Sequence, residues 1–265
     1  MIRLARELRL VRRAFRNWVR VAFAGALWRF LPLPRRDLVL ESRNGTRFVA
    51  PLDRKAGALY PALEVFAFSA YDCEWDLGDS PFVVDIGAHI GAFVLWLAER
   101  YRGLTAVCYE PDPETVAYLE RNVRALDVAL HRQAVSDRGG VLPLVRPLPA
   151  GGTSSIRIAA GDLRSSVVEV SVVSFDDVMG GIARPVALLK LDCEGSEYDI
   201  VLKSDSQSWR DVHRVVIEYH PVPRLEPRSL VERLEGLGFE LVQQTAAGGG
   251  VGTYWLSRRP LSASS

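Results

Sequence analysis

An apolar run, Phe82-Val-Val-Asp-Ile86, passes directly into Gly87-Ala-His-Ile-Gly91 and then into a helix-forming stretch, Ala92–Tyr101. A strand that ends in glycines and turns at once into a helix points to a βαβ unit, because the tight turn needs glycine and a parallel strand needs a crossover. The alternation continues. Ala106–Tyr109 reads as a second strand with helix Pro113–Leu126, Leu130–Val135 as a third, Val186–Leu191 as a fourth and Arg214–Tyr219 as a fifth. Leu230–Leu237 reads as a further helix, and Phe239–Thr245 with Thr253–Ser257 as two closing strands around Gly248–Gly250. The expected fold class is therefore α/β, a doubly wound, mostly parallel, seven-stranded Rossmann-like sheet.

With 265 residues, the chain has room for one such domain plus an N-terminal extension. Hydrophobic residues make up 48% and charged residues 25%, the balance of a globular protein. The net charge of +1 hides an asymmetry, since residues 1–36 hold ten Arg against Glu7 alone and the remainder is acidic. Leu4, Leu8, Val11, Phe15, Trp18 and Ala22 step by three and four, so residues 1–36 read as one basic amphipathic helix ended by Leu31-Pro-Leu-Pro34. Residues 37–80 read as a preamble: a hairpin turning at Asn44-Gly45, then a helix from about Gly57 to Tyr71. The main domain spans 81–258. Val21–Trp28 is far shorter than the ~20 residues of a bilayer span, and Cys73, Cys108 and Cys193 lack metal-ligand spacing. They read as buried reduced thiols in a cytoplasmic protein.

The first loop places an acid, Asp85, where a phosphate-binding G-x-G-x-x-G loop has its first glycine. That charge would repel a pyrophosphate, which argues against a nicotinamide-dependent oxidoreductase, and would attract the cationic end of a methionine-type ligand. Glu110, at the end of the second strand and about 20 residues past the glycines, is placed to accept hydrogen bonds from ribose hydroxyls. Its alternative role is a helix cap. The long connection after the third strand holds Gly151-Gly-Thr153-Ser154-Ser155, a composition suited to a lid over substrate or to a plain surface loop.

Val83-Val-Asp-Ile-Gly-Ala-His-Ile-Gly-Ala92, Tyr109-Glu-Pro-Asp112, Ala134-Val-Ser-Asp137, Thr153-Ser-Ser-Ile156 and Leu189-Lys-Leu-Asp-Cys-Glu-Gly-Ser-Glu197 together resemble the FkbM family of S-adenosylmethionine-dependent O-methyltransferases. The resemblance covers roughly residues 80–245 and leaves the first 80 residues without an inherited role. It implies the class I methyltransferase fold, with S-adenosylmethionine as cofactor. Asp85, Gly87, Ala88, His89 and Gly91 would hold the methionine end, Glu110 and Pro111 the ribose, and Ser136 and Asp137 the adenine. Thr153, Ser154 and Ser155 are the candidate substrate-binding residues. The implied acceptor is a hydroxyl of a sugar, free or carried on a lipid or natural product.

Methyl transfer to oxygen needs an aligned hydroxyl and a group that removes its proton. Open α/β sheets bind ligands at the carboxyl ends of their strands, where the fourth and fifth strands end in Asp192, Glu194, Glu218 and His220. Asp192, Glu218 and His220 would meet around the acceptor or around Mg²⁺, the metal being favoured because two acids so placed repel. Glu197 reads equally as a cap of the next helix. The rival functions are an N- or nucleic-acid methyltransferase and a non-catalytic cofactor-binding module. Nucleic acid is the weaker partner, because the basic charge is confined to the first helix. That helix would pack on the core, pair with a second copy as a homodimer, or attach to the inner membrane surface.

Overall fold

The computed structural model describes residues 2–30, 36–52, 59–68, 70–72, 75–147, 165–246 and 248–258. Parallel strands β3 (Phe82–Ile86), β4 (Thr105–Tyr109), β5 (Asp127–His131), β9 (Leu188–Leu191) and β10 (Arg214–Tyr219) form its centre. They join β11 (Phe239–Ala246) and β12 (Gly252–Arg258) in one sheet of order β11-β12-β10-β9-β3-β4-β5. Only β12 is inserted antiparallel, between β10 and β11. The expected seven-stranded, doubly wound, mostly parallel sheet is the one observed.

Period-two alternation explains the two cores. Val83 and Leu188 face one side with Phe93 and Leu97 of α4 (Ala92–Ala98) and Leu119 of α5 (Pro113–Val123). Their neighbours Val84 and Leu189 face the other with Phe175 of α6 (Phe175–Gly180), Ile200 of α7 (Glu197–Lys203) and Leu234 of α8 (Arg228–Glu235). Each fully buried Leu or Phe contributes roughly 1.5–3 kcal/mol. Pro113 enters α5 without losing a bond that helix needs, and Asp112 caps it by accepting from the backbone N–H groups of Glu114 and Thr115.

The N-terminal region joins the first of these cores. Hairpin β1 (Arg36–Glu41) and β2 (Arg47–Leu52) turns at Asn44-Gly45 as expected, Gly45 taking φ +101°. Phe15, Leu40, Phe48 and Leu59 are buried with Phe93 and Leu119. Asn122 fastens the hairpin, its amide bonding both backbone groups of Val49 and the carbonyl of Ile90.

Several boundaries depart from the sequence reading. The basic segment is two helices, α1 (Ile2–Ala14) and α2 (Trp18–Phe30), because Asn17 bonds the backbone of Val39 and Glu41 and draws the chain out of the helix. Arg16 and Arg20 lie exposed beside Val19 and Phe23 of α2. Among the described residues no helix is long and apolar enough to cross a membrane. The third helix, α3 (Leu59–Phe66), stops short, leaving Tyr71 beyond it. The single strand expected over Leu130–Val135 is two, broken at Arg132-Gln133. β5 stays in the main sheet, whereas β6 (Ala134–Ser136) enters a small sheet with β7 (Gly140–Pro147) and β8 (Ser165–Ser174). Cys108 is free and buried, but Cys193 is only partly buried. Cys73 and the candidate substrate loop Gly151–Ser155 lie outside the described residues.

Candidate active site

The loop leaving β3 is clamped from both sides. Gly87 and Ala88 donate their N–H groups to the carbonyl of Tyr109, at 3.0 Å each. Gly87 (φ +82°) has no room for a side chain, since a Cβ there would lie 1.7 Å from the carbonyl oxygen of Asp192. The glycine that reads as an approach for ligand is thus also required by the neighbouring loop. Gly91 (φ +85°) meets α5 in the same way, a Cβ falling 2.8 Å from Leu119 and 2.9 Å from Val123. Gly91→Ala should therefore lose roughly 2–4 kcal/mol from left-handed strain plus overpacking. Urea unfolding of the variant checks this, and a midpoint equal to wild type would refute it.

Glu110 directly follows β4 and is buried. Its carboxylate accepts from the N–H of His89 and of Asp112, both at 2.9 Å, so it ties the glycine loop to the second strand. Burial pushes it up to about 7 against the pull of those two bonds. Burial also drives His89 down to about 4, and among the described residues its Nδ1 has no hydrogen-bond partner. Ser136 ends β6 in the small sheet and Asp137 follows it, rather than following the third strand of the main sheet. Asp137 reaches Lys203 of α7 at 3.3 Å, and despite some burial that lysine lowers its pKa. Tyr109 stacks on His131 with ring centroids 4.7 Å apart.

The centre of the site is a residue to which sequence reasoning gave no role. Lys190, 3% exposed in the middle of β9, sets its Nζ 3.2 Å from Asp85, 3.1 Å from Asp192 and 2.9 Å from the Gly87 carbonyl. Asp85 is fully buried, and among the described residues neither of its oxygens accepts a well-directed hydrogen bond, so Lys190 answers it mainly as an ion pair. Burial raises Asp85, and Lys190 opposes that rise without cancelling it. Lys190 is itself raised, its burial outweighed by Asp192 and Asp85, and Asp192 is lowered, its burial outweighed by Lys190 and then His220. The signal was present in the sequence: a lone lysine inside Leu188-Leu-Lys-Leu191 must be paired.

Asp192, Glu218 and His220 converge, with one ligand atom from each lying within 4.8 Å of the others. Glu197 is fully buried at the start of α7 and orients the imidazole, accepting from His220 N–H at 2.9 Å and facing Nδ1 at 3.0 Å. It also accepts from the N–H of Gly195, so it is more than a helix cap. Glu194, at a positive φ of 54°, faces His220 Nε2 at 3.5 Å. Burial works to neutralise His220, but Glu197 and Glu194 outweigh it and lift the ring to about 10.

Two further residues come from the preamble, and no local pattern marks them. Tyr71 places its hydroxyl 2.9 Å from Asp192 Oδ2 and 2.6 Å from Glu218 Oε2. Glu64 of α3 is pushed up to about 8 by burial and by Glu218, Asp192 and Glu194. Glu218 rises to about 7 through burial and Asp192, opposed by Tyr71.

These shifts fix how stability follows pH. Glu64, Glu110 and Glu218 hold protons more tightly folded than unfolded, so stability falls as pH rises from about 4.5 to 7–8. His220 adds stability that is complete below about 6.5 and lost as pH rises through about 10. His89 and the lowered Asp192 and Asp137 oppose this only on the acid side. The thermal midpoint should peak at roughly pH 4–5 and decline towards pH 9. A midpoint that is flat or rising above roughly pH 6.5 in a buffer-matched calorimetric series would contradict that assignment.

Residues 85–241 match the methyltransferase FkbM domain. The chain is similar to Methyltransferase 1 of Beauveria bassiana (strain ARSEF 2860), 27% identical over 176 residues, covering 58% of this chain and 70% of that protein. It is also similar to the 31-O-demethyl-FK506 methyltransferase FkbM of Streptomyces tacrolimicus, 29% identical over 200 residues, covering 64% and 76%. A crystal structure of methyltransferase FkbM from Methylobacillus flagellatus KT aligns with a TM-score of 0.46 and 18% identity, covering 69% of this chain and 45% of that one. Because the domain match takes in more than half of the sequence, the chain belongs to the FkbM family of methyltransferases.

Proposed function

We propose that the protein transfers a methyl group from S-adenosylmethionine to a hydroxyl of a sugar or sugar-bearing small molecule. The observation that carries this reading is the convergence of Asp192, Glu218 and His220 beside the glycine loop. Lys190 joins the two halves, touching both the Gly87 carbonyl and Asp192. The name of the Streptomyces relative, which specifies an O-demethyl substrate, supports oxygen as the acceptor atom.

The residues present fit the donor. His89 Nδ1 is a buried polar atom in the loop with no partner among the described residues, and Glu110 accepts two backbone bonds while its carboxylate has capacity for the ribose hydroxyls. Asp85, Gly87, Ala88, His89 and Gly91 would line the methionine end, Glu110 and Pro111 the ribose, and Ser136 and Asp137 the adenine. When bound, S-adenosylmethionine supplies an electrophilic methyl on a sulfonium. The chain's own part is to align the acceptor and take its proton. Asp192 is suited to that role, since Lys190 and Tyr71 hold Oδ2 and keep the group ionised, while Oδ1 has no donor among the described residues.

A second reading rests on the same triad, whose spacing and oxygen-rich chemistry fit Mg²⁺. The repulsion that favoured a metal has another answer here, because Lys190 and Tyr71 already stand against the two acids. Labelled S-adenosylmethionine offered with sugars, glycosides and hydroxylated macrocycles, with and without chelator, tests both readings. Label in O-methyl product supports the function, and loss of turnover with chelator that Mg²⁺ restores supports the metal. Label only in amines or nucleic acid, or none in any acceptor, would overturn the proposed reaction.

A further inference from the structure

The family match begins at residue 85, yet the two acids at the heart of the site are held together from before it. Tyr71 lies in the turn after α3, 8% exposed, with its ring edge-on to Phe93 of α4 at 5.2 Å. That packing fixes where the hydroxyl can point. It points between Asp192 and Glu218, which arrive from different strand ends, and it is within hydrogen-bond distance of both. The Nζ of Lys190 bears on the same Asp192 oxygen, so that acid is gripped from two directions. Among the described residues no cation lies within ion-pair distance of Glu218, and Tyr71 is its hydrogen-bond partner. Two carboxylates so close repel unless a donor stands between them.

We propose that Tyr71 is a positioning residue of the methyl-transfer site, its hydroxyl fixing Asp192 and Glu218 side by side for the acceptor. The functional unit therefore begins at α3, ahead of the matched domain. This rests on the reading that those two carboxylates face the acceptor. Its physical basis is alignment: a displacement of about 1 Å at a reacting group costs on the order of 10²-fold in rate. A merely structural tyrosine would support folding without acting through Glu218.

A double-mutant cycle separates the two roles. Wild type, Tyr71→Phe, Glu218→Gln and the double variant are assayed as full chains with labelled S-adenosylmethionine and the best acceptor. Cofactor affinity is measured by calorimetry. Phenylalanine keeps the ring against Phe93, so Tyr71→Phe should fold, bind cofactor within about twofold, and lose about 10- to 100-fold in kcat. In the Glu218→Gln background the same change should cost less than about threefold, because the pair it aligns is already broken. Equal losses in both backgrounds, or wild-type kcat in Tyr71→Phe, would overturn the proposal. Should Tyr71→Phe not fold, Tyr71→Gln, which offers a donor, should keep more kcat than Tyr71→Leu, and equal loss in both is a refutation. If wild type methylates no hydroxyl acceptor, the functional reading fails separately. The crystal structure of Tyr71→Phe then decides, since acids that stay in place refute Tyr71's role and acids that part by about 1 Å or more uphold it.

Discussion

Asp192→Asn should lower methyl transfer by about 10²- to 10⁴-fold while cofactor affinity stays within a few-fold of wild type. The amide keeps the size and shape of the acid, so the loop whose carbonyl packs on Gly87 is not disturbed. What disappears is the ability to take a proton. The carboxylate is well placed for that, lying at the carboxyl end of a central strand with one oxygen held by Lys190 and Tyr71. Its lowered pKa keeps it ionised at neutral pH against the cost of burial, because Lys190 and His220 outweigh that cost. Single-turnover rates at saturating cofactor separate chemistry from product release. A loss smaller than about threefold would remove Asp192 from proton transfer, a role ordinarily worth at least 10²-fold.

Lys190→Met should produce the largest loss of stability, about 3–5 kcal/mol, because it strands a buried acid without its cation. Asp85 is fully buried, and the lysine that answers it is 3% exposed. Methionine replaces most of the lysine's aliphatic volume, so the effect isolates charge from packing. The loss should shrink towards pH 5, since Asp85 is already raised by burial and can neutralise itself by taking a proton. Adding Asp85→Leu to Lys190→Met should recover much of the loss, as replacing a whole buried pair costs less than breaking it. Guanidinium unfolding at two pH values reads wild type and both variants. A loss below about 1 kcal/mol at neutral pH would show that the pair is far more solvated than its burial indicates.

Much of the sheet was legible because buried parallel strands are written as continuous apolar runs. Phe82–Ile86, Thr105–Tyr109 and Arg214–Tyr219 announce themselves in this way, and Gly87 and Gly91 mark the turn between the first strand and its helix. Three features were not legible. The break between α1 and α2 depends on Asn17 reaching the backbone of Val39, a contact that helical periodicity cannot contain. The division of Leu130–Val135 follows from a change of sheet, which local apolarity does not record. Tyr71 stands 121 residues from Asp192 and 147 from Glu218, so only the folded chain reveals that the three share one site. Lys190 lies between these cases, because its position demanded a partner but did not say which.

The mixing of Phe15, Leu40, Phe48 and Leu59 with Phe93, Leu97 and Leu119 in one core has a consequence for how the protein comes apart. A fragment cut to residues 85–241 would leave one side of its sheet helices greasy and uncovered, a surface that self-associates. The N-terminal segment and the methyltransferase fold share that core, so they should melt as one cooperative unit rather than as a domain with a detachable arm. Evolutionary exchange of the arm for another would then have to replace half a core, not a linker.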